Sequence, residues 1–157
     1  VRDSQVVLAK YGGALFFYIV LWLPSLLYFV VFTRVTQLAA AGAAGPFLGA
    51  YVMLLLIGMF YLSIGCLASA LTRNQIVAAI MSFSVITLLF FTGLLNFFLL
   101  SMTPALRELT AYFSALEHMS EASRGFFDTR PVVFYLSLTV FVLFLTFHVF
   151  QSRRWRN

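Results

Sequence analysis

Few side chains in this sequence have the means to do chemistry, and their spacing decides what they can do. Glu117, His118 and Glu121 fall within little more than one helical turn, as an acid–base pair or a divalent metal site would require. No third ligand class stands at a suitable spacing, so the residues favour polar positions on an interfacial helix. His148 closes an apolar run and reads as an interfacial or helix-terminal side chain rather than a titrating switch. Cys66, the single cysteine, lies inside another apolar run and reads as a small packing residue, with no disulfide framework and no metal spacing around it. Lys10 is the only lysine, and no Gly-x-x-x-x-Gly-Lys loop exists to cradle a nucleotide. A nucleophile elbow, a zinc His-Glu-x-x-His and paired carboxylates within an apolar run are all missing from the sequence. The expectation is a chain that is not an enzyme, with no catalytic, cofactor-binding or metal-ligating residue of its own.

What remains is Thr72-Arg73-Asn74-Gln75, the one polar interruption in the apolar tract from Pro46 to Leu100. As one helix that tract would be about 80 Å long at about 1.5 Å per residue, against a hydrocarbon core of about 30 Å. It must fold back on itself. Arg73 marks the place, because an arginine at mid-bilayer costs at least about 2.5 kcal/mol on insertion scales and little at headgroup level.

The composition agrees: 62% of residues are hydrophobic, 10% are charged and the mean hydropathy is +1.00, far outside the soluble range. The net charge of +5 comes from basic residues at the ends of apolar runs, a membrane-topology pattern and not a nucleic-acid face. The chain begins at Val1 without a basic n-region or a small-residue cleavage site, so its first apolar run is not a signal peptide, and residues are expected upstream.

Val1 to Lys10 reads as a short interfacial lead-in, capped by Asp3 or Ser4, with Lys10 snorkelling from the first span. That span is 12–32, with Pro24 predicting a kink or a freed carbonyl. A weakly polar loop, 33–45, ends at Gly45-Pro46, taken as a loop signal before the second span, 47–71. This span is longer than the core and should tilt, bend near Gly58 or Gly65, or project. Gly65 and Ser69 form a small-x-x-x-small pair that would let another helix approach closely, facing Ala78 and Ser82 at the start of the third span, 76–100. Phe90, Phe91, Phe97 and Phe98 read mainly as lipid-facing bulk, with a path for an amphipathic substrate as the other possibility. In 101–131, Leu106, Leu109, Phe113, Leu116 and Met119 recur at three- and four-residue spacing, predicting one or two amphipathic helices on or dipping into the interface, with starts at Thr103-Pro104 and Arg130-Pro131. The fourth span is 132–150. The fold class is all-α: a polytopic helical membrane protein with four transmembrane helices plus an amphipathic or re-entrant external segment.

Four spans put both ends on one side. With that side cytoplasmic it holds Arg2, Lys10, Arg73, Arg153, Arg154 and Arg156, against Arg34, Arg107, Arg124 and Arg130 outside. Arg153, Arg154, Trp155 and Arg156 abut a span directly and, with Lys10, are the expected membrane anchors. No span carries an interior Asp, Glu, Lys or Arg for a proton relay, so the energy for any transport must come from elsewhere.

Two blocks carry a family resemblance: Ile64-Gly-Cys-Leu-Ala-Ser-Ala-Leu-Thr-Arg-Asn-Gln-Ile-Val-Ala-Ala-Ile80, and Phe126-Phe-Asp-Thr-Arg-Pro-Val-Val-Phe-Tyr-Leu-Ser-Leu-Thr139 followed by Gln151-Ser-Arg-Arg-Trp-Arg156. In them, and over nearly its whole length, the chain resembles the permease subunits of ABC-2 type transporters, in particular the gliding-motility-associated group of bacterial permeases. The resemblance implies a single ABC-2 type transmembrane domain over 1–157 that supplies the last four of six spans, N-terminally truncated, in a bacterial cytoplasmic membrane with both ends of the fragment inside. It also implies two protein partners: a cytosolic ABC ATPase subunit that binds ATP in place of any cofactor here, and a second permease subunit, identical or different. Arg2, Asp3, Thr72, Arg73, Asn74 and Gln75 would then face the ATPase, and 106–130 would form a partly re-entrant gate. For Arg73 a simpler role stands beside this one, that the turn caps the second span and anchors to headgroups. Two functions follow as expectations: a permease subunit, most commonly an exporter in this family, and a non-transporting scaffold or assembly subunit that anchors other proteins through its loops.

Overall fold

The computed structural model describes residues 3–36, 40–98, 114–125 and 128–154. Among them are five helices and no strand: α1 (Asp3–Thr36), α2 (Ala40–Leu71), α3 (Gln75–Phe98), α4 (Ala115–Ser123) and α5 (Thr129–Arg154). Four have stretches long and apolar enough to cross a membrane, Gln5–Val35, Gly45–Leu71, Gln75–Leu94 and Thr129–Ser152. The protein is a multi-pass helical membrane protein. Apolar side chains that would be a liability in water cover its outside, among them Phe16, Tyr28, Ile76, Phe83 and Val140, as expected where lipid is the solvent.

Three boundaries differ from expectation. The lead-in and the first span are one helix of 34 residues, about 51 Å long at about 1.5 Å per residue. Lys10 does not interrupt it, because its ammonium has a hydrogen-bond partner on α2. The second helix begins at Ala40, with Pro46 inside it rather than before it. Alanine is the best helix former, so the Ala-rich stretch ahead of Pro46 carries the helix through a residue that is disfavoured there. Most of the expected 33–45 loop is therefore helical. The last helix starts at Thr129, ahead of Pro131, because Asp128 caps it: the Arg130 amide donates to Asp128 Oδ1 at 3.2 Å. Pro131 sits in the first turn, where no N–H is missed.

The second helix is the hub, packing against each of the other four. Against α1 the fit is a tyrosine lattice. Tyr11 and Tyr18 of α1 donate to the carbonyls of Met59 and Leu54 on α2, and Tyr51 of α2 donates back to the carbonyl of Trp22. Ser25 also donates to the Trp22 carbonyl, so the turn around Pro24 is rich in side-chain hydrogen bonds, as a proline in a spanning helix requires. The core proper, Met53, Leu56, Ala122 and Tyr135, lies between α2, α4 and α5. Buried Ser63, Thr139 and Thr146 each bond to a carbonyl of their own helix. No buried side-chain nitrogen or oxygen among the described residues lacks a partner.

Candidate functional site

Polar groups concentrate at two levels of the bundle, the α2–α3 turn and the seat of α4, with a cleft between them. At the turn, the Thr72 hydroxyl lies 3.4 Å from the Ala68 carbonyl and 3.1 Å from the Asn74 carbonyl, so it closes the last turn of α2. Asn74 is the N-cap of α3: its Oδ1 accepts from the Ile76 amide at 3.0 Å while its carbonyl accepts from Ala78. Thr72 and Asn74 thus have structural employment. Arg73 is exposed between the two helices, and Gln75 is the exposed first residue of α3. Of the other residues expected at an ATPase interface, Asp3 starts α1, and Arg2 lies outside the described residues.

Lys10 comes back to this end of the molecule, donating to Ser69 Oγ at 2.6 Å. Ser69 thus accepts a hydrogen bond from a neighbouring helix. The expected close approach at Gly65 is not made within the described chain, since an added Cβ there meets nothing within 4 Å. Two turns away, at Gly58, the Tyr18 ring occupies the very space a Cβ would take. On α3, Ala78 is buried, and Ser82 bonds to its own helix at Ala79 and faces the cleft. Among the membrane anchors, Arg153 and Arg154 form the end of α5, while Trp155 and Arg156 lie outside the described residues.

The cleft has a volume of about 560 Å³. Tyr18 walls it on α1; Leu54, Gly58, Tyr61 and Gly65 on α2; Ser82, Ile86 and Phe90 on α3. Ala115, Leu116 and Met119 of α4 close the end away from the turn. Its lining is overwhelmingly apolar. Of the phenylalanines expected to be able to line a substrate path, Phe90 lines it, and the side chains of Phe97 and Phe98 lie outside those the structure describes.

The short helix α4 packs against α2 and α3. Its first turn stands level with the middle of α2, and Gly125 just beyond its end packs on Pro46 near the distal end. Gly125 has φ +85°, a left-handed conformation that suits glycine and ends the helix sharply. Ser114 is fully buried and caps α4 by accepting from the Glu117 amide at 3.2 Å, with its side chain seated over Gly93 of α3. His118 Nδ1 lies 3.2 Å from the hydroxyl of buried Tyr135, and the rings meet edge-on at 5.7 Å. Burial holds the His118 imidazole below its ordinary value of 6.5, against the opposing pull of Glu121, Glu117 and Asp128. Among the described residues no group of His, Cys, Asp and Glu is placed to hold a metal ion. The helix starts expected near Thr103-Pro104 lie outside the described residues.

Sequence reasoning missed Tyr18 and Gly58. A tyrosine and a glycine in two separate apolar runs give no sign that they meet, and only the partner helix makes the pair visible. No family model matches this chain, and no curated protein and no solved structure shows a significant match to it.

Proposed function

We propose that this chain is the transmembrane permease subunit of an ATP-driven ABC-2 type transporter, an exporter in a bacterial cytoplasmic membrane, coupling a cytosolic ATPase to movement of a substrate between itself and a second permease subunit. The observation that carries the reading is the placement of α2. One continuous helix runs from the capped turn, where Arg73 and Gln75 are exposed, past the cleft to the seat of α4. A displacement applied at the turn is therefore delivered to α4 through packed side chains, and close-packed interiors transmit such strain instead of absorbing it. In this reading Thr72 and Asn74 keep the turn rigid, Arg73 and Gln75 contact the ATPase, and α4 is the gate. The nucleotide is bound and hydrolysed by the partner.

The test is a cysteine cross-linking scan in native membranes with a candidate ABC ATPase subunit present. Cys66 is replaced by alanine, and single cysteines are placed at Arg73, Asn74 and Gln75. Cross-links that change with ATP are expected. Nucleotide-independent cross-links would support the scaffold reading instead. No cross-link, together with modification of the same positions from the outer face, would overturn both the topology and the transporter reading.

A further inference from the structure

We propose that the cleft between α1, α2 and α3 binds one anionic phospholipid from the leaflet on the side of the 72–75 turn, with an acyl chain in the apolar cleft and the phosphate at the Lys10 ammonium. This goes beyond the permease reading and stands without it.

Three observations meet here. The first is the row Leu54, Gly58, Tyr61, Gly65 and Ser69, which forms one face of α2 at three- and four-residue spacing; its first four members line the cleft, and the fifth holds Lys10. A cation therefore stands one helical turn beyond the last apolar wall residue, on the cleft's own face. The second is that an ammonium has three N–H donors, of which Ser69 takes one, and that Lys10 is exposed. The third is height. From Leu54 to Gly65 the cleft rises about 16 Å at about 1.5 Å per residue, with α4 closing its far end. That is about half of a hydrocarbon core of about 30 Å, the depth of one leaflet, and a further spanning helix could not pass. An extended acyl chain entering from the turn side fits, and it places its headgroup where Lys10 waits.

The test uses the full chain purified in detergent and native mass spectrometry with dioleoylphosphatidylglycerol or dioleoylphosphatidylcholine as the added lipid. One phosphatidylglycerol per chain is expected, retained about tenfold more tightly than phosphatidylcholine, as one charge-assisted contact would give. Lys10→Gln should reduce phosphatidylglycerol to the phosphatidylcholine level. Gly65→Leu should weaken retention severalfold by narrowing the cleft next to Lys10, and the open space at Gly65 lets that side chain in without a clash. Ala79→Leu, the same enlargement at an exposed position of α3, should leave retention unchanged. Equal retention of the two lipids by the unsubstituted protein, full retention by Gly65→Leu, or displacement of the lipid by glycerol 3-phosphate alone would each overturn the proposal.

Discussion

Among the described glycines, Gly58 is the one whose Cβ space is filled by a side chain of another span, Tyr18. The tyrosine ring lies where a side chain on residue 58 would begin, and its hydroxyl bonds to the Leu54 carbonyl at 3.0 Å on the same face of α2. Gly58→Ala should therefore destabilise the bundle by about 1–3 kcal/mol, the usual range for overpacking, read as a fall in the thermal midpoint in detergent. In a Tyr18→Ala background the same substitution should cost far less, and equal costs in both backgrounds would show that the contact is not what matters. Small residues in α2 were legible as contact points from the sequence, but which of them is used was not. Gly65 has a small neighbour one turn on and looked the better candidate by spacing; Gly58 is the one that meets a ring. Spacing within one helix reports which residues share a face, and the identity of the side chain opposite decides where the backbones close.

At the level of elements, capping separates structure from function within four consecutive residues. Asn74→Ala removes the N-cap of α3 and should cost about 1 kcal/mol, whereas Arg73→Ala should leave the thermal midpoint unchanged, because Arg73 is exposed and caps neither helix. If Arg73→Ala alone lowered the midpoint as much, the turn would owe its arginine to stability. For α4 the relevant variable is pH. His118 has a docked value below 6.5, so the undocked helix takes up a proton first as pH falls. The docking contribution of His118 is then fully present above about 6.5 and is lost as pH drops from there through the docked value. The groups facing the imidazole are Glu117 and Glu121 on α4, Asp128 just before α5 and Tyr135 on α5; α2 contributes no charged residue to the seat. Once corrected for the base-catalysed intrinsic rate at each pH, the amides of 115–125 should thus be less protected from exchange at pH 5 than at pH 7.5, and His118→Phe should flatten that difference. Protection that does not change with pH in the unsubstituted protein would remove His118 from the docking equilibrium. The amphipathic spacing of Leu116 and Met119 made this helix legible, but not its depth. A helix lying on an interface and one packed between α2 and α5 show the same stripe, and the buried N-cap at Ser114 distinguishes them only once Gly93 is known to lie beneath it.

Across the whole molecule the direction of each helix is fixed by its pairings. Lys10 meets Ser69, Tyr18 meets Leu54, and the stacked rings of Phe29 and Phe47 lie 4.2 Å apart, so α1 and α2 are antiparallel. Tyr135 meets Phe60 at 6.1 Å while Val132 packs by Met53, so α5 runs parallel to α2. The start of α1, the 72–75 turn and the end of α5 therefore share one face of the membrane, and the end of α4 beside Pro46 lies toward the other. This alternation was legible because Arg73 forces a reversal inside a tract far too long for one crossing. Where the ends of α1 and α2 fall was not, because Lys10 and Pro46 each carry a local signal for a break that a tertiary partner or a helix-forming neighbour overrides. The arrangement makes a sharp demand on labelling. With Cys66 replaced by alanine, single cysteines in place of exposed Arg73 and Arg124 should react with a membrane-impermeant maleimide from opposite faces of sealed vesicles. Right-side-out vesicles should expose one of them and inverted vesicles the other. Reaction of both from the same face would require that α2 not cross the membrane between Pro46 and Leu71. The register of tyrosine and lysine contacts along α1 would then have to be wrong as well, since those contacts set the direction of α2.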